Sequence, residues 1–467
     1  MAENVAGDDD KVPFGAFRTT PTSVSLYFVS ISVLCQALVF VSTGPVADYG
    51  TARKTLMLVF STLGAVFTGL FVFLWDDNLW WLGGILIVLS NVAYGASIVF
   101  YNAYLPLLVD AAPEVIEAKK AGKPEEEVFA MREALSNRMS SFGFMWGYAS
   151  GVLLLIVSIG IILGVEAGRD EEEADAREDT LGPRLCLLLT SVWWLLFSIY
   201  TFTGLKQRPG PPTPGKRNPI VLAWITMYQT FAEARQFPNT FIFLIAYFIY
   251  SDGVSTISFV GVLFGREELD MEDSELIYIA LIVPLMALAG NYLFLTIQRK
   301  GNFKSKSMLV TNLLFLMLLP LYGLLGFIDA SPIGLRQKWE IYVFAVIFGL
   351  NLGSVQSYSR VLFTELIPKG REASLLGCYE MVDKGSSWIG PLVVGAIREN
   401  GTLRLGLVYL IVFLLVPLPI IIWGVDFDQG RSMARGEMAV IAADGKPLAG
   451  DSGATPSGTG SSSSSSS

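Results

Sequence analysis

The chain has 467 residues, is 52% hydrophobic and only 16% charged, carries a net charge of −9 and contains no histidine. The lack of histidine excludes Ser-His-Asp and Cys-His chemistry and removes the commonest metal ligand and pH switch, while the negative balance argues against nucleic acid as a partner. Charge-free blocks at 85–99, 151–165 and 407–423 approach the roughly 20 apolar residues a helix needs to cross a bilayer, so the chain reads as an all-α membrane protein.

In chain order, a short tail over 1–22, acidic at Asp8 to Asp10, precedes eleven predicted spans at 23–43, 55–75, 81–101, 142–165, 183–204, 239–261, 276–297, 308–328, 340–360, 373–397 and 405–424. The first span starts well inside the chain and lacks a basic flank, so it is not read as a signal peptide. Between the third and fourth spans, Asp110 to Asn137 is polar and predicts a surface helix. The stretch from Asp170 to Asp179 reads as a solvated acidic loop. A hydrophilic linker over 205–238, with Arg208-Pro209-Gly210-Pro211-Pro212, divides an N-terminal bundle (23–204, five spans) from a C-terminal bundle (239–424, six spans). The tail over 425–467 ends in a serine run and is expected to be disordered. Cys35, Cys186 and Cys378 fall in apolar blocks, without disulfide or zinc spacing. Asn400-Gly401-Thr402 is the one glycosylation sequon.

Lysine and arginine sort the loops. Alternate loops hold Arg53 and Lys54, Lys119 to Arg138, Lys206 to Arg235, Arg299 to Lys306, and Lys369 with Arg371, whereas the opposite loops hold the acidic runs. Positive residues mark the cytosolic side. The C-terminus is therefore expected in the cytosol and the N-terminus on the far side.

Three constellations carry mechanism. Gly44-Pro45-Val46-Ala47-Asp48-Tyr49-Gly50-Thr51-Ala52-Arg53-Lys54 forms the turn after the first span. Its first glycine permits close helix approach. Asp48 can accept bonds at a neighbouring helix N-terminus, and Arg53 and Lys54 are expected to hold the turn at the surface. Tyr250-Ser251-Asp252-Gly253 lies mid-span, where a charge costs at least about 2.5–3.5 kcal/mol and normally faces a cavity. Asp252 is read as binding a cationic group or carrying a proton, with structural pairing to Lys384 or Arg360 as the alternative. In the tenth span, Glu380 and Lys384 are spaced to pair along one face, which leaves Asp383 to act. A self-satisfied ion pair fixing helix packing is the other reading.

Polar residues recur in the third span (Asn91, Tyr94, Tyr101, Asn102) and the ninth (Asn351, Gln356, Tyr358). Each alone is packing glue. Together with Ser251 and Asp252 they outline a polar site near the midplane. With no nucleophile–base pair and no metal-ligand spacing, an enzyme, a metal and a cofactor are not expected. The partners expected are the bilayer, a small solute and protons.

The turn around Asp48 resembles the loop between the second and third helices of major facilitators, although Gly50 sits one place early. The long linker resembles the one joining their two six-helix halves. On that plan the first helix is missing and the bundles hold five and six spans. More specifically, Ser23 to Tyr27, Gln36-Ala37, Tyr101 to Pro106, Ser140 to Gly143, Gly147-Tyr148, Arg208 to Pro212, Tyr250 to Gly253, Tyr358 to Arg360, Glu365 to Pro368 and Asp383 to Trp388 resemble the autophagy-related protein 22 family of fungal vacuolar transporters, from about Thr22 to Trp423. The resemblance implies a major facilitator fold in the vacuole membrane. It also implies efflux of leucine and other neutral amino acids from autophagic breakdown to the cytosol. A facilitator for another solute, or a membrane partner that recruits autophagy or trafficking factors through the loop from Asp110 to Asn137, are the alternatives.

Overall fold

In lipid the backbone can bond only to itself, so each long apolar run closes into a helix. The computed structural model describes residues 12–14, 17–167, 180–212, 218–328, 332–400 and 402–434. A two-stranded hairpin, Val12–Phe14 with Phe17–Thr19, comes first. The first bundle follows: α1 (Pro21–Asp48), α2 (Ala52–Gly69), α3 (Trp80–Asn102), short α4 (Tyr104–Asp110) and α5 (Pro113–Lys120), α6 (Glu125–Ala167) and α7 (Leu181–Gly204). Helix α8 (Pro219–Ala232) lies in the linker. The second bundle holds α9 (Pro238–Glu267), α10 (Asp273–Gly301), α11 (Ser305–Leu324), α12 (Lys338–Glu365), α13 (Glu372–Ser386), α14 (Ile389–Asn400) and α15 (Gly406–Leu415). The last span continues from α15 to Gly424, closing in a wider π-helical turn, Ile420–Gly424. Helix α16 (Phe427–Ala434) ends the described chain, so the tail expected to be disordered from residue 425 instead begins as a helix packed against α9 and α12.

Ten helices among the described residues are long and apolar enough to cross a membrane, five on each side of α8. The predicted span at 373–397 is the exception: it is broken into α13 and α14 at Ser387-Trp388. The cause is local. Pro391 has no N–H to give the Ser387 carbonyl, and the N–H of Gly390 is taken by Asp252 Oδ1 at 2.9 Å.

Two expectations for the loops need correction. The polar segment from Asp110 to Asn137 is not a separate surface helix throughout. Its second half is the start of α6, one unbroken helix of 43 residues, about 64 Å long at 1.5 Å per residue. The linker is not hydrophilic throughout either. Helix α8 has no charged residue and packs along α1, burying Leu222, Ala223, Thr226, Met227 and Thr230. Its other face exposes Ile220, Val221, Trp224, Tyr228 and Phe231.

The halves meet along two seams, α1 with α13 and α6 with α10 and α12. Within the second bundle α10 and α12 approach closely because glycine leaves room: a Cβ at Gly290 would overlap the Leu350 carbonyl. The predicted acidic loop at 170–179, the tail beyond 434 and Gly401 of the sequon lie outside the described residues, as does the side chain of Asn400.

Candidate functional site

Between the halves, α3, α6, α9, α12 and α13 bring one polar cluster together. Arg360 of α12 is its hub. The guanidinium donates from Nη1 to Asn102 Oδ1 at 2.8 Å and from Nη2 to Ser140 Oγ at 2.9 Å and the Ser140 carbonyl at 3.1 Å. Its flat face lies 4.4 Å from the Phe144 ring centre, an arrangement that suits arginine and not lysine. Asn102 spends its other end on Glu380, donating from Nδ2 to Oε1 at 2.8 Å. Arg360, Asn102 and Glu380 thus form one chain from second half to first and back. Ser140 and Ser141 add bonds to Ser357, and Tyr148 donates to Gln356 Oε1 at 2.6 Å.

Next to this chain sits an ion pair. Asp383 accepts from Tyr247 Oη at 2.7 Å, from Ser251 Oγ at 2.6 Å, and lies 3.3 Å from Lys384 Nζ. Both partners are partly open, with side chains 27% and 40% exposed respectively. The expected pairing of Glu380 with Lys384 is therefore corrected: Lys384 pairs with Asp383, and Glu380 pairs across the seam. Asp383 is not left over, since three donors converge on it. Helical spacing missed this because the competing partners come from other helices.

Asp252 is also corrected. It is fully buried inside the second bundle, and both oxygens are taken, Oδ1 by the Gly390 N–H and Oδ2 by Tyr409 Oη at 2.5 Å. It faces neither a cavity nor Lys384 or Arg360. It caps the first turn of α14 where that span breaks. Tyr358 is 1% exposed with its hydroxyl unbonded, so it lies in the core away from Gln356. Asn351 bonds its own helix at Ile347. Tyr101 is half-exposed, its ring 6.0 Å from the Arg360 guanidinium.

On the face that carries the basic loops, the turn after α1 clamps the α1–α13 seam. Asp48 accepts the N–H of Ala373 at 2.7 Å and of Ser374 at 2.9 Å, together with Ser374 Oγ at 2.5 Å. These are unpaired donors in the first turn of α13, where the helix dipole favours an anion. Arg53 bridges Asp48 and Glu372, each at 3.1 Å. Gly44 lets the helices close, since a Cβ there would meet the Ala373 carbonyl at 3.1 Å. Gly50 takes a φ of +54°, a conformation glycine adopts at little cost. It exchanges two backbone bonds with Pro211 and Gly210 of the linker. Arg53 is 3% exposed, so it does not hold the turn at the surface as expected but is buried in the clamp. Lys54 donates to the Leu205 carbonyl and lies over the Phe202 ring.

Comparison with known proteins agrees with this architecture. The profile of the family described as "Vacuole effluxer Atg22 like" matches residues 3–435. Autophagy-related protein 22-1 of Penicillium rubens is 35% identical over 88% of this chain and 76% of its own length. Autophagy-related protein 22 of Yarrowia lipolytica is 33% identical over 90% and 78%. Among solved structures, the major facilitator transporter FucP superposes with a TM-score of 0.61 over 90% of this chain and 94% of its own, at 13% identity. The proton:xylose symporter XylE gives 0.60 over 89% of each, also at 13% identity. The chain has the major facilitator fold and belongs to the Atg22-like family of vacuole effluxers.

Proposed function

We propose that the chain exports neutral amino acids from the vacuole lumen to the cytosol, with the basic face cytosolic, and that the amino acid binds at Asp383 and Lys384. The observation that carries this is their partly open ion pair beside the cross-seam chain. A zwitterion can enter such a pair by exchange. Its ammonium replaces Lys384 on Asp383, and its carboxylate replaces Asp383 on Lys384. The number of charges rises but none is left unpaired. An amine or an acid alone would leave one charge without a partner, which disfavours it in a site that closes around the solute.

Tyr247 and Ser251 hold Asp383 in place during the exchange, and Glu380, Asn102 and Gln356 border the pathway. The described bonds between the halves run from Tyr148–Gln356 to the clamp at Asp48, a geometry that supports a state closed on the basic face. Of the intramembrane acids, Glu380 has a single described donor, Asn102, and we assign proton coupling to it in preference to Asp252 or Asp383. Competition tests the substrate reading. Leucine flux into vesicles holding the purified chain should be inhibited by other neutral amino acids. It should be unaffected by isoamylamine and isocaproate, its decarboxylated and deaminated analogues. Equal inhibition by either analogue contradicts a zwitterion site.

A further inference from the structure

The clamp at Asp48 closes only one of the two seams. On the other, α6 of the first half meets α10 and the start of α11 in the second. Glu133 of α6 accepts the backbone N–H of Ser305 at 2.6 Å and its hydroxyl at 2.5 Å. Asn137, one turn further on, donates to the same hydroxyl at 2.7 Å. Ser305 is the first residue of α11, so Glu133 puts a carboxylate on a helix N-terminus of the opposite half, as Asp48 does at α13. An arginine completes the parallel. Arg431 of α16 donates to Glu365 Oε2 at 2.7 Å and to Glu133 Oε2 at 3.1 Å. It is 8% exposed, and the more open Asp428 adds a bond at 3.3 Å. Arg53 joins Asp48 to Glu372 across the first seam, and Arg431 joins Glu133 to Glu365 across the second.

The two sets share no sequence pattern. The carboxylate and arginine of the first lie in one turn, whereas the second draws on the entry to α6, the start of α11, the end of α12 and a helix beyond the last span. Nor does lipid packing require them. Both are buried charges on the basic face, where water offers solvation, so their desolvation must be offset by what they join.

We propose that Glu133, Ser305 and Arg431 form a second latch, which holds the seam of α6 with α10 and α12 shut together with the Asp48 clamp, and that α16 is a positioning element of the gate. This rests on the reading of a state closed on the basic face and goes beyond it: the gate is closed at two sites, and one is fastened by chain beyond the last span. Opening to the basic face requires both to release. Losing one shifts the population without abolishing the closed state.

The test uses the full-length chain in proteoliposomes, with native cysteines replaced and spin labels at Lys119→Cys and Lys300→Cys, outside both latches and on opposite halves. Pulsed dipolar spectroscopy reads the distance between them without any substrate. Arg431→Ala and Glu133→Gln should each add a longer-distance population. Asp48→Asn combined with either should enlarge it further, and Arg431→Lys should restore much of the shorter distance. An unchanged distribution in both Arg431→Ala and Glu133→Gln, with Asp48→Asn lengthening it, overturns the proposal. So does a fall in thermal stability in Arg431→Ala without any change in distance. Because no solute is involved, failure of amino-acid transport would leave this result standing.

Discussion

Asp48 and Ser374 lie 326 positions apart, yet the carboxylate of the first takes both the N–H and the hydroxyl of the second. One side chain thus fastens the first half of the chain to the first turn of a helix in the other. Charge-assisted bonds of this kind contribute about 1.5–3 kcal/mol each. Cys378, one turn beyond Ser374 and 2% exposed, is a native reporter of the seam. Asp48→Ala should speed alkylation of Cys378 by a membrane-permeant maleimide about tenfold or more. An unaltered rate would mean that the clamp does not keep the seam closed.

Asn102 links Arg360 to Glu380, so removing it leaves a buried cation and a buried carboxylate each short of a partner. Asn102→Leu should lower stability by about 2–4 kcal/mol. Thermal unfolding in detergent measures this. A shift within error of wild type would show that the cross-seam chain is dispensable.

Asp252 plays a different part, because it caps α14 within one half. Asp252→Asn keeps an acceptor for the Gly390 N–H, and the Tyr409 hydroxyl can turn to accept. Leucine flux should stay within about threefold of wild type, while Asp252→Leu should destabilise by about 2 kcal/mol or more. Loss of transport in a stably folded Asp252→Asn protein would return this residue to the solute or proton pathway.

Glu380 is surrounded by Asp383 and Lys384 of its own helix, Arg360 of α12 and Asn102 of α3. Protonation from an acidic lumen replaces an anionic acceptor of the Asn102 amide with a neutral one and weakens the bond between halves. Flux should therefore rise as lumenal pH falls. Glu380→Gln, permanently neutral, should flatten that rise. An identical pH profile in the variant would remove Glu380 from proton coupling.

Much of the fold was legible because hydropathy acts locally: a charge-free run of 20 residues has few alternatives to a spanning helix. The break in the tenth predicted span was only half legible: Pro391 stands there in sequence, but the capture of the Gly390 N–H depends on Asp252, well over a hundred positions away. The clamp could be read from its turn, since Asp48 and the glycines stand together in sequence. Its arginine was misplaced, because burial of Arg53 depends on Glu372. At the site, Asp383 and Lys384 stood out as charges in an apolar run, but their pairing was decided by Tyr247 and Ser251 on another helix. The latch at Glu133 and Arg431 left no local mark, since its members come from four separate elements.

The proposed passage of a neutral amino acid through the Asp383–Lys384 pair depends on Lys384 receiving the substrate carboxylate. Efflux of labelled leucine from acid-loaded vesicles containing the purified chain tests it most directly, with Lys384→Met as the comparison and thermal unfolding as the control for folding. Wild-type efflux should saturate with leucine. The variant, which leaves the substrate carboxylate unpaired, should lose about tenfold or more of its flux at low leucine while remaining folded. Leucine flux no greater than in empty vesicles, or undiminished flux in the folded variant, would contradict the account.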